Sequence, residues 1–161
     1  MKKISDNVIQ LLKEHGFVIV STLDRDEGIH CSAKGVVDVK KEGHIYLIDL
    51  YKRVTYANLK KNPIITITAI DEDQFIGFTL KGKAKIVKRN RIKESIIKQW
   101  EKKIIERITK RVIKNVKKDK SSTKHPESQF PQPEYLIEME VDQIIDLTPT
   151  HLKSSALGNQ S

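Results

Sequence analysis

The segment at 76–88, IGFTLKGKAKIVK, constrains this chain most. Ile76, Phe78, Leu80, Gly82, Ala84 and Ile86 alternate with Gly77, Thr79, Lys81, Lys83 and Lys85. A period of two puts the apolar side chains on one face and three lysines on the other, the pattern of a half-exposed strand. The period then changes. Across 90–118, Ile92, Ile96, Ile97, Trp100, Ile104, Ile105, Ile108, Val112, Ile113 and Val116 recur mostly at three- and four-residue steps, so a long amphipathic helix follows.

The rest of the chain adds to this pair. Residues 5–15 read as an amphipathic helix, with Ser5 as N-cap, Ile4 and Ile9 as a hydrophobic staple and Gly16 as its stop. Phe17–Leu23 is a predicted strand, ended by the polar turn Asp24–Gly28. His30–Val39 is the next. One of its faces carries Cys31, Ala33, Gly35, Val37 and Val39, which suits a core; the other carries His30, Ser32, Lys34, Val36 and Asp38. His44–Leu50 and Ile64–Ile70 are further strands, joined by a short helical stretch, and Tyr135–Leu147 is the last. Residues 119–133 read as a loop, and the tail from His151 as frayed. Strands joined by tight turns pair antiparallel. About six of them, with glycine interspersed, suggest a small closed or partly open barrel. The predicted fold is mainly β, with an N-terminal helix and a long helix before the last strand. One domain covers 1–149, with the helix at 90–118 as an insertion, and 150–161 is a tail.

Composition narrows the setting. The 161 residues are enough for one domain with a real core. The longest apolar runs, such as Phe17–Val20, are too short to span a bilayer, and no apolar signal core follows Lys2 and Lys3. Cys31 is the one cysteine, so no intrachain disulfide forms. The expected setting is cytoplasmic. The net charge of +9 is concentrated: residues 81–124 hold 18 Lys or Arg against 4 acidic residues, a local +14 that leaves the remainder at −5. Two readings of the helix at 90–118 follow. Its apolar stripe folds over the barrel or a partner subunit with the cations in water, or its basic face binds nucleic acid or anionic lipid. No base-reading motif supports nucleic acid. No histidine has a Cys or carboxylate partner at metal-ligand spacing, so no metal site is expected.

One segment points to a ligand. In IYLIDLYKRVTYANLKKNPIITITAI, residues 45–70, an apolar strand exits into Tyr51-Lys52-Arg53-Val54-Thr55 and a helix opens there. Backbone N–H groups at a helix start are unpaired and partially positive. Lys52, Arg53 and Thr55 add two cations and a hydroxyl, so a phosphate fits. Without a ligand the same residues make a solvated connection, with Thr55 capping the helix.

This bend, the Asn58-Leu59 and Asn62-Pro63 pairs after it, Val18–Thr22 with the charged turn that follows, the strand around His30–Val37, the Leu80-Lys81-Gly82-Lys83-Ala84 strand and the ending Asp146-Leu147-Thr148-Pro149 together resemble the pyridoxamine-5′-phosphate-oxidase-like family, the FMN-binding split barrels. The resemblance covers roughly 4–87 and 134–149. It implies a homodimer with two FMN sites at the subunit interface. It places the phosphate near Ser32, Lys34, Lys52, Arg53 and Thr55, and the polar edge of the flavin along the backbone of Ala33, Lys34, Gly35 and Val36 and of Leu47, Ile48 and Asp49. The implied activity is a flavin-dependent oxidoreductase acting on a small molecule. Alternatives are a non-catalytic flavin-binding, storage or redox-sensing protein, or a relative that binds the deazaflavin F420. Two departures bear on the reaction. The bend reads Lys-Arg-Val-Thr rather than Ser-Arg-Lys, and no pyridoxal-phosphate pocket is visible near the C-terminus. The resemblance therefore does not extend to oxidation of pyridoxamine phosphate.

Overall fold

In a computed structural model, which describes residues 1–116 and 129–155, the elements run in this order. Helix α1 (Asp6–His15) precedes strands β1 (Phe17–Leu23), β2 (Ile29–Lys40) and β3 (His44–Asp49). Helix α2 (Val54–Lys61) leads to β4 (Ile64–Asp71) and β5 (Ile76–Lys88). A 3₁₀ turn at Arg89–Arg91 opens into helix α3 (Glu94–Val116), followed by β6 (Tyr135–Asp146) and helix α4 (Thr150–Ser155). The strands close into an antiparallel barrel in the order β1-β2-β3-β6-β5-β4. The last strand fills the place between β3 and β5, and β4 returns to β1 through Ile19 and Thr68. Closure gives every described strand a neighbour on both sides.

The alternation at 76–88 behaves as the sequence predicts. Phe78, Leu80 and Ala84 are buried, while Lys81, Lys83 and Lys85 face water. The buried three meet Val18, Val20, Ile45, Leu47, Ile65, Ile67, Ile137, Met139 and Val141 in the barrel core. Gly82 sits where the β5–β6 register shifts, and a Cβ there would collide with the Glu140 carbonyl oxygen. Helix α1 closes one end of the barrel with Ile4, Val8, Leu11 and Leu12. Gly16 ends it at φ 68°, as expected. Ser5 holds the cap position without a side-chain cap bond; its hydroxyl meets Asn7 instead. Helix α2 covers the opposite end and adds Leu59 to the core.

The face assigned to the second strand needs correction. Cys31 and Ala33 are exposed, whereas Ser32, Lys34 and Val36 turn inward. A bulge between Val36 and Asp38 exchanges the faces, so Val39 returns to the barrel core while Val37 lies outside it.

Helix α3 packs along the outer wall. Trp100 and Ile104 cover Val37, Ile48 and Leu136 in a second apolar cluster. Lys103, drawn under the helix, donates to the Val36 carbonyl at 3.0 Å, and burial pushes its ammonium pKa down. The helix expected at 90–118 is found as α3 from Glu94 to Val116, after a separate turn at Arg89–Arg91, and 117–118 lie outside the described residues. Ile105, Val112 and Ile113 on the same helix remain exposed. Residues 117–128, which include most of the predicted loop, lie outside the described residues. The tail also differs from expectation, since 150–155 form α4, with Lys153 3.1 Å from Asp146. No helix among the described residues is long and apolar enough to cross a membrane.

Candidate functional site

The inward turn of the first half of β2 assembles a polar cluster at the α2 end of the barrel. Lys34 Nζ lies 2.6 Å from Asp49 Oδ2. The Tyr135 hydroxyl donates to the same oxygen at 2.5 Å, and the Tyr51 N–H donates to Oδ1 at 3.3 Å. Asp49 is 5% exposed. A buried carboxylate is tolerable only when its lone pairs are answered in this way. Burial, reinforced by the Asp49 carboxylate, holds the Tyr135 phenol far above its ordinary pKa. It is therefore a neutral donor at all physiological pH values. Beside this pair, Ser32 and Thr55 share a hydrogen bond of 3.0 Å, and Asn58 Nδ2 donates to Thr22 Oγ1 at 3.0 Å. These bonds fix α2 against β1 and β2. Tyr56 meets the Tyr135 ring edge-on at 5.0 Å.

The bend itself lies at the rim. Its backbone is held: Lys52 N–H donates to Glu134 at 2.7 Å and Arg53 N–H to the Tyr51 carbonyl at 3.0 Å. The first helical bond of α2 runs from Ala57 N–H to the Arg53 carbonyl, and no side chain caps the helix. The N–H groups of Val54, Thr55 and Tyr56 are thus free of acceptors among the described residues. The Arg53 guanidinium lies over the Tyr51 ring at 4.9 Å. Neither Lys52 nor Arg53 has a carboxylate partner for its side chain among the described residues. Two unpaired cations beside three unpaired amides are a donor set suited to a phosphate. A cavity of about 620 Å³ opens alongside, between Lys52, Tyr56, Arg89 and Tyr135.

The residues singled out in the sequence fall into three groups. Ser32, Lys34, Asp49 and Thr55 converge in the polar cluster, and Lys52 and Arg53 stand at its rim. Val36 and Leu47 point into the barrel core, and Ile48 packs under α3, so these side chains serve packing. Gly35 pairs with Ile48 and Val36 with Leu47, while Ala33 faces outward. Thr55 does not cap α2; its hydroxyl is turned to Ser32. Sequence reasoning missed Tyr135, Thr22, Asn58 and Glu134. A tyrosine two residues after Pro133, opening a strand and followed by Leu136 and Ile137, is the one signal that marked Tyr135.

Known proteins share this architecture. The family model described as Pyridoxamine 5′-phosphate oxidase matches residues 4–147. The chain belongs to this family. Among solved structures, HupZ of Group A Streptococcus superposes with a TM-score of 0.65 at 16% identity, covering 90% of this chain and 94% of that one. An FMN-binding protein from Syntrophomonas wolfei subsp. wolfei gives 0.56 at 14% identity, covering 88% and 84%. An F420 reductase gives 0.56 at 16% identity, covering 88% and 98%. At these identities the likeness establishes the fold. No curated protein matches the chain.

Proposed function

We propose that this chain binds FMN, with the phosphate held at the start of α2, and acts as a flavin-dependent oxidoreductase on a small molecule. The observation that carries this reading is the bend itself. The Lys52 and Arg53 side chains have no carboxylate partner and the α2 amides from Val54 to Tyr56 no acceptor among the described residues, while the carboxylate at the bend, Glu134, is taken by the Lys52 N–H. Family membership and the relatives named as an FMN-binding protein and an F420 reductase support it.

When bound, FMN supplies hydride or single-electron transfer. The chain's part is to bind and orient. Arg53 and Lys52 grip the phosphate, and Ser32 and Thr55 keep the helix start against β2. Lys34, Asp49 and Tyr135 hold the barrel end rigid beneath. Asp49 is engaged by three donors, so it is a positioning group and not a free base.

A second copy of the chain completes the reading. On the outer face of β1, β2 and β4, Ile19, Ile29, Cys31, Ala33 and Ile64 are exposed among the described residues, interleaved with Ser21, Thr66 and Thr68. Register sets Ile19 beside Ala33 and Leu23 beside Ile29, so the patch is contiguous. Such a face is the natural seat of a homodimer interface.

F420 is the second reading, favoured by Lys88 and Arg89 in the cavity next to the bend, where a longer anionic tail would find cations. Titration with FMN and with F420, followed by flavin or deazaflavin fluorescence, separates the two. Reduction of the bound cofactor by NADH or NADPH and its reoxidation by an acceptor is expected of an enzyme. A cofactor that binds but never turns over marks a storage or sensing protein. Absence of saturable binding of either overturns the proposal.

A further inference from the structure

A second cavity, of about 340 Å³, lies on the outer wall of the barrel under the start of α3. Its apolar side is Val87, Ile92, Ile96 and Leu136, which belong to the cluster around Trp100. Its polar side on the sheet is a row of register neighbours, Asp38, Tyr46 and Glu138. The acceptors in that row are already engaged. Asp38 takes Lys40 Nζ at 2.7 Å and the Val39 N–H at 2.8 Å, while Glu138 takes the Tyr46 hydroxyl at 3.4 Å and stands 3.6 Å from His44. Burial and Glu138 push the Tyr46 phenol pKa up, so this hydroxyl adds no negative charge.

The donors facing the row are in the opposite state. Arg91, Lys93, Ser95 and Gln99 line the cavity and make no ion pair or side-chain hydrogen bond among the described residues. The nearest helix carboxylate, Glu94, is tied to Lys98 at 2.8 Å. The cavity therefore offers apolar surface together with unanswered donors, two of them cationic. Arg91, Lys93, Ser95 and Gln99 are exposed and stay hydrated beside an apolar guest, so what they add is a preference of charge: a cation is repelled by Arg91 and Lys93 and an anion is drawn to them. A planar carboxylate answers a guanidinium through two parallel bonds.

We propose that this cavity is a second binding site, for an ionised carboxylic acid carrying an apolar chain or ring. The apolar body rests on Val87, Ile96 and Leu136, and the carboxylate meets Arg91 and Lys93. The volume falls at the lower end of small-ligand pockets, roughly 300–1,000 Å³. The site lies beyond the bulge of β2 on the outside of the barrel, away from the bend proposed for the flavin phosphate.

Octanoate and octanamide test this, since they share a chain and differ in head-group charge. Trp100 is the one tryptophan and belongs to the cluster that floors the cavity, so its emission reports occupancy. Octanoate is expected to shift that emission saturably and to bind at least tenfold more tightly than octanamide. The paired change Arg91→Gln with Lys93→Gln is expected to abolish the preference without altering thermal unfolding. Equal affinity for the two probes overturns the proposal, as does absence of saturation by octanoate at millimolar concentration. Persistence of the preference in the double variant overturns it too. The readout involves no flavin, so its failure leaves the flavin reading standing.

Discussion

Asp49→Asn keeps the shape of a side chain while removing its charge. The residue is 5% exposed, and the side chain of its partner Lys34 is 13% exposed. Deleting one charge of a buried pair costs about 3–5 kcal/mol, because the other charge stays behind without a counter-ion. Lys34 retains some access to water, which argues for the lower end, about 3 kcal/mol. The Tyr135 hydroxyl keeps an acceptor in the new amide oxygen, so its bond weakens from charge-assisted to neutral and adds about 1 kcal/mol. A combined loss of about 4 kcal/mol in a chain of this size lowers the Tm by roughly 8–16 °C. The compensating change is Lys34→Met. Alone it strands Asp49; combined with Asp49→Asn it removes both charges, so the loss in the double variant is expected to fall short of the sum of the two single losses by about 2 kcal/mol. Urea unfolding followed by Trp100 fluorescence and far-UV circular dichroism measures all four corners of the cycle. A single-variant loss below about 0.5 kcal/mol refutes the reasoning, as does simple additivity in the double variant.

Tyr135 makes the site sensitive to alkali. Its phenol pKa is raised by folding, so the stabilisation is complete below the ordinary value of 10 and drains away as pH climbs above it, where the unfolded chain ionises first. Urea midpoints between pH 8 and 11 are expected to fall in the parent, and to fall less steeply in Tyr135→Phe. Gly82→Ala drives a Cβ into the Glu140 carbonyl oxygen, so β5 and β6 must part; a loss of about 3 kcal/mol, at the top of the overpacking range, is expected by thermal denaturation, and a neutral result contradicts the β5–β6 register. Trp100→Ala opens the seam between α3 and the barrel and is expected to cost about 3–5 kcal/mol in a urea titration followed by circular dichroism.

The sequence made the barrel legible where one periodicity governed a whole element. The lysines at 81, 83 and 85 marked the outer face of β5, and the isoleucine stripe marked α3 as a helix that packs through Trp100 and Ile104. It misled where a bulge changes phase within a strand. Val37 and Val39 stand two apart yet lie in different clusters, where an unbroken strand would set them on one face. The bend at Lys52–Thr55 was visible as local chemistry because its residues are neighbours. The Lys34–Asp49–Tyr135 cluster was not, since Tyr135 reaches Asp49 across 86 positions and only strand order brings them together. Asp49 was singled out for its backbone, yet the structure gives its carboxylate the larger part.

Recognition of a phosphate by the bend is the central claim, and FMN and riboflavin differ by that group alone. Two charge-assisted contacts at about 1.5–3 kcal/mol each imply an affinity ratio of roughly 100 or more. Flavin-fluorescence titration of the purified chain with each ligand is expected to show that gap, and Arg53→Glu to weaken FMN binding by about tenfold or more while leaving riboflavin unchanged. Equal affinity of the parent chain for FMN and riboflavin, or an Arg53→Glu variant that still separates them as before, contradicts the claim.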